Sequence, residues 1–153
     1  MKTQQDWEWL AVNSHYQTAI AVRQLLEEGK SMEATQGLEV LISAIERWEK
    51  QMVERQLIRL MSHIIKWKCQ PEQRHPNWAI AIRSARTELE DSQEEVPTLT
   101  QNFLRLIWNK CFQEALKLAE LELGINCSMR SLSWSEVFDD EYRVLPLKEQ
   151  PHN

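Results

Sequence analysis

The sequence predicts an all-α fold, an up-and-down bundle of four main helices with a short fifth helix near the C-terminus. Three observations predict it. Only 3 Gly and 5 Pro occur in 153 residues, and so few chain-breakers favour long helices over a sheet with many turns. Apolar residues recur at steps of three and four along most of the chain. No segment alternates apolar and polar residues for long enough to predict a strand.

The first two predicted helices are separated by a glycine. We expect the first over residues 5–28, because Gly29 can adopt the left-handed conformation that ends a helix. Ser31 is suited to cap the second helix, which then runs to about residue 69. Roughly half of the circumference of its C-terminal half is apolar, so we place this long helix at the centre of the bundle. Its apolar stripe changes track near residues 46–50, which allows a bend there.

The remaining elements follow from prolines, glycine and a capping pattern. Pro71 ends the second helix, and a third helix follows from about Trp78 to Leu89. Residues 91–96 are predicted to form an acidic loop, and Pro97 suits the first turn of a fourth helix that Gly124 ends. A capping box from Ser133 to Glu136 predicts a short fifth helix over residues 134–140.

The length and composition predict one domain. A chain of 153 residues with 42% apolar and 27% charged residues can bury a sizeable core without a disulfide or metal. We expect a single domain over residues 1–146 and a frayed tail over residues 147–153. No stretch has the length and apolarity of a signal peptide or a membrane span, so we expect a cytoplasmic protein without membrane contact.

The three cysteines and the histidines give little sign of a metal or cofactor site. Cys69, Cys111 and Cys127 are far apart and odd in number, so we expect small buried or half-buried residues rather than a disulfide framework or a zinc site. Glu72 and His75 have the spacing of a di-iron ligand pair, but they form only one such pair and lie in a loop. We therefore predict no cofactor and no bound metal.

The net charge of −5 is unevenly distributed. Residues 55–86 contain seven Lys or Arg and one Glu, for a net charge of +6, whereas the rest of the chain carries −11. The anion-binding candidates in this basic stretch are Arg59, Lys66, Lys68, Arg74, Arg83 and Arg86. They could bind a phosphate, a carboxylate or a nucleic-acid backbone. The favoured alternative is a solvated face whose cations pair with acidic residues of the same protein or of a second copy.

His63 is the one weak catalytic candidate. A histidine can act as a general base or a metal ligand, and Glu72 or Arg74 could assist it in an enzyme. A lone histidine at the edge of an apolar face is more often a hydrogen-bonded structural residue. The sequence has no glycine-rich phosphate loop and no GxSxG motif, which excludes the usual nucleotide-binding folds and the serine hydrolases that use that motif.

Seven tryptophans are many for this length, and most are expected in the core. Trp7 and Trp9 are two positions apart, so a helix cannot bury both on one narrow face. We expect one of them to be exposed and to contact another subunit or a partner.

The centre of the chain resembles domain of unknown function family 29, a bacterial family that is abundant in cyanobacteria. The residues that carry the resemblance are His63, Lys66, Trp67, Gln70, Pro71, Glu72, Arg74 and Trp78. The segment from Trp134 to Asp139 is similar to the closing helix of that family, and the likeness spans roughly residues 5–146. The family often has an acidic pair where this chain reads Leu41 to Glu46. The resemblance implies an all-α fold and a bacterial origin but no activity.

The sequence therefore favours an interaction module, which binds a protein partner or self-associates. The excess of tryptophan and the uneven charge support this hypothesis. Anion or nucleic-acid binding by the basic stretch is the second hypothesis, and nucleic acid is the less favoured partner because the whole chain is acidic. An enzyme centred on His63 is the third.

Overall fold

A computed structural model describes residues 1–96 and 99–144 of the chain. Within these residues every regular element is helical, which confirms the predicted all-α class. The helices are α1 (Gln4–Asn13), α2 (His15–Glu27), α3 (Ser31–Cys69), α4 (Pro76–Glu95), α5 (Gln101–Leu123) and α6 (Trp134–Phe138), and a 3-10 turn covers Pro71–Gln73.

The predicted first helix is two helices, so the prediction of one helix over residues 5–28 is wrong. Ser14 has an extended backbone, with φ −162° and ψ 110°, and separates α1 from α2. Its N–H donates to the carbonyl of Leu10 at 2.8 Å, and its hydroxyl accepts from the N–H of Gln17 at 3.0 Å. Ser14 thus ends one helix and caps the next, because its short polar side chain can replace a helical hydrogen bond.

The long helix α3 is continuous over 39 residues, including the region where a bend was allowed. It begins two residues after Gly29, which has a φ of 76° and ends the preceding helix as predicted. The last residue of α3 is Cys69, and the turn that contains Pro71 follows. The helix boundaries at Gly29 and Pro71 were therefore readable from the sequence.

Two predicted boundaries in the second half of the chain are wrong. Residues 91–95 of the predicted acidic loop form the end of α4, because Glu is a good helix former and a polar face is compatible with an exposed helix. Helix α5 begins at Gln101, not at Pro97, and Pro97 itself lies outside the described residues. Gly124 ends α5 with a φ of 71°, as predicted.

The capping box at α6 is confirmed in both directions. The Ser133 N–H donates to Glu136 Oε1 at 2.8 Å, and the Glu136 N–H donates to Ser133 Oγ at 3.1 Å. The helix ends at Phe138, two residues before the predicted end.

The chain forms two compact units, an N-terminal unit (Met1–Gln51) and a C-terminal unit (Met52–Asn153). The core of the N-terminal unit is small and consists of Trp7, Ala11, Val22, Ala34, Val40 and Ala44. The C-terminal unit has the larger core, built on Leu57, Leu60, Ile64 and Phe112 among others. The single domain over residues 1–146 stays a prediction, and the predicted tail over residues 147–153 lies outside the described residues. In the described part of the chain, no helix is long and apolar enough to cross a membrane.

Candidate functional site

Lys66 belongs to the predicted motif and is largely buried near the C-terminal end of α3. Its ammonium group donates to Glu122 Oε2 of α5 at 2.5 Å and lies 5.4 Å from the centre of the Trp78 ring. A buried ammonium ion is stable only when its charge is paired. Lys66 therefore joins α3 to α5 and to the beginning of α4, and its charge faces a carboxylate of its own chain.

Lys68 pairs with the capping residue of α6. Its ammonium group lies 2.8 Å from Glu136 Oε2. The hydrogen bond from Lys68, together with the bond from the Ser133 backbone, lowers the pKa of the Glu136 carboxyl. One carboxylate thus caps α6 and anchors it to α3.

Arg74 closes the turn after α3 back onto the helix. Its Nε donates to the carbonyl of Trp67 at 2.8 Å, and its guanidinium lies 4.8 Å from the centre of the Trp67 ring. The last carbonyls of a helix lack partners within the helix, so an arginine in this position satisfies one of them. The turn residues Gln70, Pro71 and Glu72 of the motif connect these two positions.

Arg86 joins α4 to the C-terminal end of α6. Its Nε donates to the carbonyl of Val137 at 2.7 Å, and its Nη2 donates to that of Glu136 at 3.4 Å. The ring of Tyr142 lies 5.5 Å from the Arg86 guanidinium and 6.0 Å from the Lys68 ammonium. Burial lowers the pKa of Arg86 and raises the pKa of Tyr142 to about 12. The fold thus brings two of the predicted cations, Lys68 and Arg86, to one tyrosine ring.

The remaining anion-binding candidates are Arg59 and Arg83. Arg59 donates from Nη1 to the side chain of Gln56 at 3.3 Å. Arg83 is exposed, and no acidic group lies within ion-pair distance of it in the part of the chain that the structure describes. Lys66 and Lys68 pair with carboxylates of the same chain, and such pairing is one of the two alternatives that the sequence left open for the basic stretch. Anion binding by the whole set stays a prediction.

His63 is half-buried and hydrogen-bonded to its own helix. Its Nδ1 lies 2.8 Å from the carbonyl oxygen of Arg59. Because a carbonyl only accepts, we assign the proton of the neutral ring to Nδ1. Burial lowers the pKa of His63, partly offset by this bond to Arg59. Only Nε2 remains for acid–base chemistry, and the enzyme centred on His63 stays a prediction.

His75, which has the di-iron ligand spacing from Glu72, acts as a helix cap. His75 Nδ1 accepts from the N–H of Asn77 at 3.0 Å and caps α4. Among the described residues, no group of three His, Cys, Asp or Glu side chains could hold a metal ion.

A disulfide joins Cys69 to Cys127, so the prediction against a disulfide is wrong. Cys69 is the last residue of α3, and Cys127 follows α5; the two are 58 positions apart in the sequence, with a Cα–Cα distance of 6.0 Å. Sequence spacing carried no signal for this bond, because only the return of the chain along α4 and α5 brings the two residues together. Cys111 is free and buried as predicted, and burial raises the pKa of its thiol to about 12.

The comparisons with known proteins decide the family. The model of the family described as domain of unknown function DUF29 matches residues 20–142 of the 153. The chain belongs to the DUF29 family. No curated protein and no solved structure matches the chain.

The tryptophans of this DUF29 protein differ in burial. Of the seven, Trp7 and Trp67 are buried, and Trp108 and Trp134 are partly buried and pack against the larger core, so four of the seven contribute to the core, as expected. Trp108 and Trp134 are half-buried and stacked, with ring centres 5.2 Å apart. The expectation for Trp7 and Trp9 is confirmed in its structural part, because Trp7 is buried and Trp9 is 68% exposed.

Exposed apolar side chains are concentrated in the N-terminal unit of this DUF29 protein. Of the sixteen large apolar side chains that are exposed among the described residues, ten lie in this third of the chain. On α1 and α2 they include Trp9, Val12 and Tyr16, and on α3 they are Met32, Leu38, Ile42, Ile45 and Trp48. The α3 residues fall inside the segment that the family model matches. Of these exposed residues, only Trp9 belongs to a pair for which the sequence predicts a contact.

Proposed function

We propose that the protein is an interaction module whose contact surface lies on the N-terminal unit. The observation that carries this proposal is the concentration there of ten of the sixteen exposed large apolar side chains. Contiguous exposed apolar surface is uncommon on proteins that act alone and is typical of surfaces that bind a partner.

The composition of the N-terminal core supports the same proposal. That core consists of one tryptophan and five residues no larger than valine, while larger side chains such as Ile42, Trp48 and Trp9 are exposed. Each square ångström of apolar surface removed from water contributes about 25 cal/mol. Folding of the unit leaves these side chains in water. A partner that covers them removes their apolar surface from water, and this burial stabilises the complex.

Site-specific photocrosslinking in the host cells tests the proposal. A benzoylphenylalanine replaces Ile42 in one variant and Val12 in another, and Leu106 of α5, which is 82% exposed, is the matched control position. We expect discrete crosslinked species from the first two variants, either a second copy or another protein, and none from the third. Absence of any adduct at Ile42 and Val12, or equal adducts at Leu106, would contradict the proposal.

An anion site around Arg83 is a second candidate function. A groove of about 500 Å³ is lined by Arg83, Arg86, Tyr142 and Arg143, together with Glu141 and apolar residues of α4. Glu141 lies 3.7 Å from Arg143, so Arg83 is the cation that remains for a ligand. Titration with inorganic phosphate and with a labelled oligonucleotide at low salt tests this candidate. We expect binding to weaken with added salt and in the Arg83→Gln variant, whereas the control variant Arg23→Gln should bind like the wild type. Any other result contradicts this candidate.

A cytoplasmic location is also part of the proposal, and the Cys69–Cys127 pair provides its test. Thiols of cytosolic proteins are normally kept reduced, whereas disulfides persist in oxidising compartments. Trapping thiols in intact host cells with an alkylating reagent reports the state of Cys69 and Cys127. A reduced pair supports the cytoplasm, and a fully oxidised pair contradicts it.

A further inference from the structure

Three exposed residues of α3 form a narrow apolar seam, which we define as Leu38, Ile42 and Ile45. They are separated by four and three positions and are 45%, 55% and 37% exposed. This spacing is that of the core positions of a coiled coil, and it aligns the three side chains along one face of the helix. The next positions of the same repeat are Thr35 and Glu49, so the apolar part of the repeat is short.

The seam does not face the core of the N-terminal unit. Inward-facing residues of α3 such as Ala34, Val40 and Ala44 are buried in that core, and the seam lies on a different side of the helix. One flank of the seam adjoins Trp48, whose ring contacts His15 of α2 edge-on at a centre distance of 6.2 Å. From Leu38 to Trp48 the helix rises about 15 Å, which is close to three turns.

The other flank of the seam is acidic. Glu39 and Glu46 follow Leu38 and Ile45 directly in the sequence, and Glu49 comes next on the line of the seam. Lys50 lies 3.2 Å from Glu46 and offsets one of these charges. The N-terminal unit as a whole contains eight acidic and five basic residues. A partner on this flank is therefore attracted when it carries Lys or Arg.

We propose that the apolar seam binds one amphipathic helix of another protein, with apolar residues at the same three–four spacing and with basic residues beside them. This inference rests on the proposed interaction function and names the class of partner. A helix fits because its side chains can enter the spaces between those of Leu38, Ile42 and Ile45. Basic flanking residues then lie opposite Glu39 and Glu46.

A second copy of the chain fits the seam less well. In an antiparallel two-fold pair, Glu39 and Glu46 would face the same acidic residues of the second copy. In a parallel pair Glu46 would face Leu41 of the second copy and Glu39 would face Ala34, which places carboxylates against apolar side chains. Both arrangements cost free energy that a basic helix avoids.

The test uses the full-length protein and a synthetic three-heptad peptide with Leu at the apolar positions and Lys at the flanking positions. The control peptide has Glu in place of Lys. Fluorescence anisotropy of the labelled peptides should show saturable binding of the Lys peptide and at least tenfold weaker binding of the Glu peptide. Ile42→Ser should weaken binding of the Lys peptide about tenfold or more, because a buried isoleucine contributes that much to affinity.

Two further variants separate seam binding from general attraction to an acidic protein. Glu39→Gln should weaken binding of the Lys peptide a few-fold and reduce its dependence on salt. Leu106→Ser, which changes an exposed leucine of the C-terminal unit, should leave binding unchanged. Circular dichroism confirms that each variant is folded.

The inference is overturned by equal binding of the two peptides, by no binding, or by an Ile42→Ser protein that binds like the wild type. It is also overturned when sedimentation equilibrium shows a dimer that Ile42→Ser dissociates, since the occupant is then a second copy. Crosslinks at Ile42 to another protein, combined with a failed peptide test, would reject the basic helix and leave the proposed interaction function intact.

Discussion

The indole ring of Trp7 lies directly against the backbone of Gly37, so that a β-carbon at position 37 would overlap three carbon atoms of the ring. Trp7 is the largest buried side chain of the small N-terminal core. This close approach joins α1 to α3 and explains why a glycine occupies the interior of a long helix, where it costs about 1 kcal/mol relative to alanine.

Gly37→Ala should lower the free energy of unfolding, although alanine is the better helix former. The overlap with Trp7 should cost about 1–3 kcal/mol, more than the gain of about 1 kcal/mol in helix propensity. Urea denaturation followed by tryptophan fluorescence and circular dichroism measures the change. Ser43→Ala on the exposed face of α3 is the matched control and should be neutral or slightly stabilising. A more stable Gly37→Ala protein would show that the contact is not present in solution.

Arg86 and Arg83 are one helical turn apart on α4 and should differ in their contribution to stability. Arg86→Ala removes two hydrogen bonds to carbonyls of α6 and should cost about 2 kcal/mol. Arg83→Ala removes an exposed side chain and should change stability by less than about 0.5 kcal/mol. Equal effects in thermal or urea denaturation would contradict the assigned role of Arg86.

Loss of the Cys69–Cys127 bond should destabilise the oxidised protein. A disulfide that closes a loop of this length contributes about 2–4 kcal/mol, mainly by restricting the unfolded chain. The urea midpoint should fall when a reductant is added, and Cys69→Ser/Cys127→Ser should be indifferent to the reductant. Quantification of free thiols without reductant should detect only Cys111, and only after unfolding, since its thiol is buried. Two further thiols in the unfolded, unreduced protein would contradict the bond.

The half-buried His63 should make stability depend on pH. Its pKa is lowered in the folded protein, so the unfolded chain binds a proton more readily below its ordinary value of about 6.5. The free energy of unfolding should therefore be fully maintained above that pH and decrease as the pH falls through it. His63→Gln should flatten the curve between about pH 7.5 and 5.5. An NMR titration of the His63 ring that gives an ordinary or raised pKa would reject this prediction.

The sequence predicted helices better than it predicted their limits. Gly29, Gly124 and the Ser133–Glu136 box were found because each acts through hydrogen bonds to residues a few positions away. Ser14 was missed because a serine inside an apolar repeat is compatible with both a helix interior and a cap. Residues 91–95 were misassigned because high polarity indicates exposure and not the absence of a helix.

For the candidate site, the difference between what the sequence predicted and what it missed is larger. The motif was found from its residue types, but the partners of its cations were not predicted. Lys66 pairs with Glu122 and Arg86 with the carbonyl of Val137, each more than fifty positions away. The exposure of the apolar seam of α3 was not predicted, because periodicity shows which residues share a face and not what covers that face.

The sequence by itself determined the helical class, the long α3 and the DUF29 motif, because helix periodicity, caps and motif spacing are local properties. Only the tertiary structure decided that Cys69 bonds to Cys127, that Trp7 covers Gly37, and that Ile42 is exposed. These relationships depend on which distant segments meet and on how many side chains a small core can cover. Neither quantity is contained in the spacing of residues along one helix.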